Sequence, residues 1–595
     1  MALATEERPV PAGEPPAPDE NAANAGRTPR PCRSWVEILA ASTTTLLAVV
    51  LRWGYTFGHF DQTVLSVRGI ALADPHALRG DWFTHSIPQP HWFFDYVTFA
   101  GERLGVLPSV YLAYWITSIV VFGVGAVWVA ERFLPERPGA AALIGPLAVL
   151  APQAILGSSG PLVWFAIPTM LGGCLAFLAL SALLTGRFRI AVVAALLAGV
   201  VHVQHGANLA AVMMFAALMP KGWTRLQRAV LAGAALTLLT GAQGVAIWRH
   251  LQPNGPEWLQ ACRDVIPYHC YAPSWRVPYL VSGGLVVLMA GAFIWFARDR
   301  LRTVLPAVAL PVAALVVGVA AERFDWGVLG RLAQTYNVHR FVTLVVPFGA
   351  LGLLILVDRL AGPDRSPRRR VVLGILGGGF VWIWSSGTEN PYSRHLIDRP
   401  TVLAGLLSLA VAVWIARPAA LTRLSGAARR PPVVVAVVAA LLPGVIMGAA
   451  QGAFGRVGID LSIGGVNAAV AIGRAVPETG VIAAPPEIYW LRLLSRRAVV
   501  ADCKAGPYGG EAWHEYRRRL TALGGCNGSP SGFADLAPEQ IESLRSRYGV
   551  THVLLYGDDP KVGYARTHWS AVYEAPPQDS LHLQHGWVLF RMERP

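Results

Sequence analysis

Long apolar segments alternate with short polar ones over most of the chain, and this pattern predicts a polytopic membrane protein. A helix needs about 20 mostly apolar residues to cross the hydrocarbon of a bilayer. Stretches of this kind are predicted at 34–52, 109–130, 139–157, 161–184, 229–248, 277–297, 303–321, 341–357, 371–387, 400–416 and 432–450.

The apolar stretch 188–219 differs from the others because the run His202-Val203-Gln204-His205-Gly206 interrupts it. Each flank is short for a full crossing. We interpret the stretch as two short helices that meet at a polar kink, with one re-entrant hairpin as the alternative. Counted as two helices, it brings the total to about 13 spans.

The pattern changes after about residue 452. Short β-type runs bounded by Gly, Pro and Asp occur at 481–486, 497–503 and 550–557, and helical patterns occur at 514–525 and 536–549. Alternating strands and helices favour a small α/β domain. The fold class is therefore an α-helical polytopic membrane domain, 34–451, followed by an α/β domain, 452–595.

Charge placement predicts the orientation in the membrane. Residues 1–33 are rich in Pro, Ala, Glu and Arg without apolar periodicity, which predicts a disordered tail. Alternate loops between the predicted spans are short and basic, as cytoplasmic loops are. The N-terminus is thus expected in the cytoplasm. The long loop 53–108 and the C-terminal domain are expected on the outer side of the cytoplasmic membrane.

Composition agrees with a membrane protein and argues against a nucleic-acid partner. Charged residues make up 14% of the chain and hydrophobic residues 54%, whereas soluble proteins carry about 25% charged residues. The net charge of +14 comes mainly from short loops between apolar runs. We therefore expect contacts with membrane lipids and none with nucleic acid, and the sequence identifies no protein partner.

The loop 53–108 holds two acidic positions in distinctive settings. The first is Phe60-Asp61-Gln62-Thr63, shortly after the first apolar segment, and the second is Arg79-Gly80-Asp81-Trp82. In these strings, and in its plan of about a dozen spans before a soluble domain, the chain resembles the GT-C superfamily of membrane glycosyltransferases. It departs from many members at Gln62, where they carry a second acid.

The resemblance implies transfer of a hexose or pentose from a polyprenyl-phosphate-linked donor to an acceptor outside the cytoplasmic membrane. Asp61 would act as the base or as a ligand of a metal ion, and Asp81 would support it. The cofactor stays open, with a divalent metal ion as one option. Each acid also has a structural interpretation: Asp61 as a helix cap, Asp81 as a turn residue after Gly80.

Further polar residues on the predicted outer side are candidates for substrate binding. They are His59, Gln62, His202, His205, Asp264, His269, Gln334 and Arg340. Arg340 is suited to a lipid phosphate because its guanidinium matches phosphate oxygens, although an ordinary interfacial arginine would occupy the same position. His202 and His205 would line a cavity, or would satisfy backbone groups freed at the break.

The cysteines suggest two disulfides on the outer side. Cys262 and Cys270 are close in sequence, and Cys503 and Cys526 form a second plausible pair. An extracytoplasmic location permits disulfides. The alternative is four reduced thiols in a packed interior.

Two rival functions stay open. A transporter or flippase of a lipid-linked substrate would place polar residues near the middle of the membrane, whereas most candidates in this chain lie at the outer ends of spans. A catalytically degenerate GT-C-like scaffold is the other rival, and Gln62 is the residue that favours it.

Overall fold

The computed structural model describes the chain in segments. They are residues 31–53, 55–58, 61–135, 137, 139–151, 162–164, 166–219, 223–251, 259–260, 263, 271–275, 277–361, 372, 376, 457–458, 464–507, 511–526, 532–577 and 585–592.

The first part of the chain is helical apart from a two-residue strand. After helix α1, Pro31–Trp53, and strand β1, Tyr55–Thr56, come the helices α2 to α11. They are α2 Gln62–Leu65, α3 Val67–Ala73, α4 Trp82–Ser86, α5 Trp92–Arg103, α6 Leu107–Phe133, α7 Ala140–Leu150, α8 Pro168–Leu184, α9 Phe188–Val201, α10 Val203–Leu218 and α11 Arg225–Trp248.

The rest of the described membrane domain is also helical, with short 3₁₀ turns and one π-helical turn between the α-helices. They are α12 Val277–Phe296, α13 Leu301–Val304, α14 Leu310–Arg323, α15 Val328–Thr335 and α16 Val342–Ala361. The 3₁₀ turns are Ala272–Ser274, Arg298–Arg300 and Val338–Phe341, and a π-helical turn, Leu305–Ala309, joins α13 to α14.

The predicted membrane fold is confirmed. Among the described residues, four helical stretches are long and apolar enough to cross a membrane: Leu107–Phe133, Arg225–Trp248, Arg298–Arg323 and Val338–Leu360. Shorter apolar helices occur at Trp35–Val50, Ala140–Val149, Pro168–Leu184, Phe188–Val201, Val203–Leu218 and Gly283–Phe296. The predicted spans at 371–387, 400–416 and 432–450 lie outside the described residues, apart from single positions, and so does the predicted tail up to residue 30.

The chain bends sharply at His202, between α9 and α10. His202 has an extended backbone, with φ −149° and ψ 108°, and its Nδ1 accepts the His205 N–H at 3.4 Å. A Cβ on Gly206 would lie only 2.7 Å from the Gly199 Cα. Residues seven apart in a straight helix are separated by about 10 Å. The predicted pair of short helices is therefore present, and His202 caps the second.

The C-terminal domain is built on a mixed five-stranded sheet. Its strands are β3 Val481–Ala483, β4 Ala498–Val499, β5 His552–Tyr556, β6 Ser570–Ala575 and β7 Trp587–Arg591, and its helices are α17 Gly464–Ala475, α18 Leu491–Ser495, α19 Ala512–Ala522, α20 Pro538–Tyr548 and α21 Val562–His568. The strand order is β4-β3-β5-β7-β6, parallel from β4 to β5 and antiparallel from β5 to β6. The predicted α/β domain is thus present.

A strand pair and the ion pairs of a buried arginine are among the contacts that hold this domain against the loop that follows α1. Strand β1 pairs in parallel with β2, Val457–Gly458. The Arg492 side chain, only 1% exposed, forms ion pairs with Asp81 of the loop and with Asp502 of the domain. The domain is therefore placed beside the segment that carries Asp61.

Candidate functional site at the first loop

The Asp61 carboxylate reaches out of the first loop toward the C-terminal domain. Asp61 precedes α2, but its side chain makes no capping hydrogen bond. Instead its Oδ1 lies 3.1 Å from the Lys504 Nζ, and the Asp61 side chain is 45% exposed. The structure therefore does not support Asp61 as a helix cap, and it leaves a partly accessible carboxylate.

The residues around Asp61 fix the backbone that carries it. Gly58 has φ +76°, which favours glycine. The Gly58 N–H donates to Gln62 Oε1 at 2.8 Å, and Gln62 Nε2 donates to the Ala166 carbonyl at 3.1 Å. Gln62 is buried, so these contacts show it tying the loop to the membrane domain. Its predicted role in substrate binding stays a prediction.

A column of histidines connects Asp61 to the break between α9 and α10. The rings of His91 and His202 stack with centroids 5.3 Å apart, and those of His202 and His205 lie 4.8 Å apart. Burial lowers the pKa of His91 to about 4, while Asp61 raises that pKa and Arg340 lowers it. At neutral pH, His91 is therefore an uncharged imidazole within electrostatic range of both Asp61 and Arg340.

Glycine allows this close packing of the histidines against α8. A Cβ on Gly172 would lie 2.7 Å from the His202 Cβ, and a Cβ on Gly173 would lie 3.3 Å from His205 Nε2. Contacts under 3.0 Å require something to shift. These two glycines thus let the histidines at the break pack closely against α8.

Arg340 enters the same region from the start of α16. Its Nη1 donates to Gln204 Oε1 at 3.4 Å, and Gln204 Nε2 donates to the Tyr336 carbonyl at 3.4 Å. The nearby Gln334 is buried. The structure therefore brings Asp61, His202, His205 and Arg340, which come from three separate segments of the chain, into one polar region.

Asp81 is buried, unlike the partly exposed Asp61. It is fully buried, and its Oδ1 accepts the Thr84 N–H at 2.8 Å, which caps α4. Its Oδ2 accepts from Arg492 Nε at 2.9 Å and from the Val499 N–H at 3.2 Å. Three donors occupy this carboxylate and no water reaches it, so we assign Asp81 a structural role in domain docking instead of the predicted catalytic one.

Several predicted residues cannot be placed. His59, Cys262, Asp264, His269 and Cys270 lie outside the described residues. Cys503 and Cys526, the other predicted pair, form a disulfide, and Cys174 is a buried free thiol.

Within the described segments, no three His, Cys, Asp or Glu side chains are grouped to hold a metal ion. The described residues around Asp61 thus do not form a metal-ligand set.

Two members of this region could not be identified from the sequence. By its neighbours in the chain, Lys504 belongs only to a polar cluster in the C-terminal domain, and His91 is only a loop histidine. Nothing in the spacing of a chain shows that a residue near 504 faces a residue near 61. The sequence offers only one indirect indication that Lys504 occupies a fixed position: it directly follows Cys503, a predicted disulfide residue.

One family model matches part of this chain, and solved structures match most of its length. A family model described as a domain of unknown function, DUF6798, matches residues 467–523. No curated protein matches. Two crystal structures of ArnT from Cupriavidus metallidurans, a GT-C glycosyltransferase, are similar at 16% identity. The form bound to undecaprenyl phosphate has a TM-score of 0.49, over 93% of this chain and 97% of that one. The apo form has a TM-score of 0.48, over 94% and 98%. At this identity and TM-score, the likeness says nothing about activity.

Proposed function

We propose that this protein is a membrane glycosyltransferase of the GT-C type. It transfers a sugar from a polyprenyl-phosphate-linked donor to an acceptor at the outer face of the cytoplasmic membrane. One observation carries the proposal: a partly exposed carboxylate, Asp61, pairs with Lys504 of the C-terminal domain, and Asp61 and Arg340 both lie within electrostatic range of the neutral His91.

This arrangement suits displacement of a phosphate from an anomeric carbon. Asp61 accepts the proton of the acceptor hydroxyl as the new bond to the sugar forms. The bond between the sugar and the phosphate oxygen breaks, and negative charge develops on the departing polyprenyl phosphate. Arg340 stabilises that charge through its planar guanidinium.

His91 contributes a neutral surface beside the base. Because its pKa is lowered to about 4, it carries no charge at neutral pH and does not form a permanent ion pair with Asp61. A cationic imidazole at this position would hold the carboxylate and weaken it as a base. The depressed pKa of His91 thus avoids a second cation beside Asp61, in addition to Lys504.

The test is a transfer assay in membranes that contain the full chain. The probes are synthetic undecaprenyl-phosphate-linked hexoses and pentoses, and the measured quantity is the release of undecaprenyl phosphate. Loss of a positioned general base costs about 10²- to 10⁴-fold in rate, so Asp61→Asn should lower release by at least about 100-fold.

Asp74→Asn is the matched control. Asp74 lies in the same loop, is exposed, and accepts the His76 N–H at 2.9 Å in a local turn. It should leave the rate unchanged. Equal release by wild type and Asp61→Asn at equal expression would refute the role of Asp61. No release by wild type from any of these donors would refute the donor class.

A further inference from the structure

Lys504 is a lysine in a chain whose basic residues are nearly all arginines. Arginine supplies nearly all of the 50 basic residues, and the lysines are Lys221, Lys504 and Lys561. Lys504 lies in the C-terminal domain, yet its Nζ is 3.1 Å from Asp61 Oδ1. The same Nζ is 5.4 Å from the centre of the Tyr489 ring. The soluble domain therefore places a single flexible ammonium at the base.

Hydrogen bonds and a disulfide fix the backbone around Lys504. Asp502 Oδ1 accepts the N–H groups of Lys504 and Ala505, at 2.9 and 2.8 Å. The other oxygen of Asp502 is ion-paired to the buried Arg492. The neighbouring Cys503 is joined to Cys526 by the disulfide. The turn is thus fixed on both sides of a lysine that has four rotatable side-chain bonds.

The contact between Lys504 and Asp61 is weak enough to be exchanged. The Asp61 side chain is 45% exposed and the Lys504 side chain 25% exposed, and ion pairs that water reaches bind weakly. A phosphate group offers more negative charge and more acceptor oxygens than a carboxylate. An ammonium on a flexible stem can move between such partners, whereas a guanidinium fork is suited to one fixed geometry.

We propose that Lys504 changes partner during binding. In the empty site it holds Asp61, and when the polyprenyl phosphate donor enters it moves to the donor phosphate and frees the Asp61 carboxylate to accept a proton. The donor class rests on the proposed function. Lys504 is in this sense a positioning residue, supplied by the C-terminal domain, that makes the base available only when phosphate is present.

The first test is lysine reactivity in the purified full chain. Brief acetylation with acetic anhydride, followed by peptide mass spectrometry, reports how accessible and how basic each amine is. Asp61→Asn should raise the acetylation rate of Lys504 by up to about fivefold, the upper limit for a partly exposed ion pair. Lys561 is the internal reference, because its Nζ is buried and donates to the carbonyls of Phe533 and Ala534. Its rate should not change.

The second test is equilibrium binding of undecaprenyl phosphate in detergent micelles, with undecaprenol as the uncharged control. Lys504→Met should weaken binding of undecaprenyl phosphate by about tenfold or more, because a charge-assisted contact is lost. Asp61→Asn should strengthen binding, by up to about fivefold, because the competing carboxylate is gone. Neither variant should change binding of undecaprenol. The opposite signs test whether both charges act on the lipid phosphate, and the acetylation rate of Lys504 in Asp61→Asn tests whether the two side chains are paired in the empty site.

The results separate this inference from the proposed function. If Asp61→Asn abolishes sugar transfer but neither raises Lys504 acetylation nor strengthens lipid binding, the partner exchange is wrong and the function stands. If transfer is the same in wild type and Asp61→Asn, the role of Asp61 as the base is wrong whatever Lys504 does. If wild type binds undecaprenyl phosphate no better than undecaprenol, both are wrong.

Discussion

Arg492 is the residue whose removal should do most damage to the contact between the C-terminal domain and the first loop. Its side chain is 1% exposed and lies between two buried carboxylates, Asp81 and Asp502. Arg492→Met keeps much of the volume and removes the charge. The variant leaves two negative groups facing each other without a cation between them.

The expected cost follows from burial. Removal of one partner from a buried ion pair destabilises a protein by about 3–5 kcal/mol, which is roughly a factor of 10² or more in the equilibrium between docked and undocked domain. Burial already raises the pKa of Asp502, so one carboxyl can take up a proton when Arg492 is absent. The cost should therefore be smaller at pH 5.5 than at pH 8.

Native-state proteolysis with thermolysin measures this equilibrium, because cleavage follows the opened population when reclosing is fast. Arg492→Met should raise the cleavage rate of the C-terminal domain by about 100-fold or more at pH 8. Arg518→Met is the control: Arg518 is 63% exposed and pairs with Glu515 on the same helix, so its loss should cost about 0.5 kcal/mol or less.

A triple variant separates the charge from the packing. Arg492→Met with Asp81→Asn and Asp502→Asn removes the uncompensated charges, and asparagine still caps a helix well. It should recover part of the lost protection. If Arg492→Met is cleaved no faster than Arg518→Met, the two ion pairs of Arg492 do not hold the domain against the first loop.

Two further predictions concern the histidine column. Burial lowers the pKa of His91 from 6.5 to about 4, so its contribution to stability is present above about pH 6.5 and is lost as the pH falls toward 4, by at most about 3 kcal/mol. His91→Asn should reduce that pH dependence in thermal unfolding. Gly172→Ala should destabilise by about 1–3 kcal/mol, since its Cβ would lie 2.7 Å from that of His202. Gly241→Ala, with nothing within 4 Å, should not destabilise.

Much of the fold was predictable because it depends on local patterns. Apolar length identified the helices that cross or enter the membrane, and the change of pattern after residue 452 identified the α/β domain. His202 was recognisable as a break because polar residues in an apolar stretch are costly unless they have a purpose. These features are properties of neighbouring residues, which a sequence displays directly.

The site was predictable only in part, because it depends on contacts between distant segments. Asp61 and Arg340 stood out by their positions at the ends of spans. The structural contacts of Asp81 were not predictable, because a sequence shows that a carboxylate is present but not that Arg492, 411 residues later, pairs with it. Lys504 escaped prediction for the same reason, since its partner lies in another part of the chain.

The small parallel pairing of Tyr55–Thr56 with Val457–Gly458 has a consequence for biogenesis. Ribosomes add about 5–20 residues per second, so on the order of a minute passes between synthesis of the two partners. During that interval the first loop lacks its contacts with β2, Arg492 and Lys504. A chain whose synthesis stops before its last quarter therefore lacks the contacts that Arg492 and Lys504 make with the first loop.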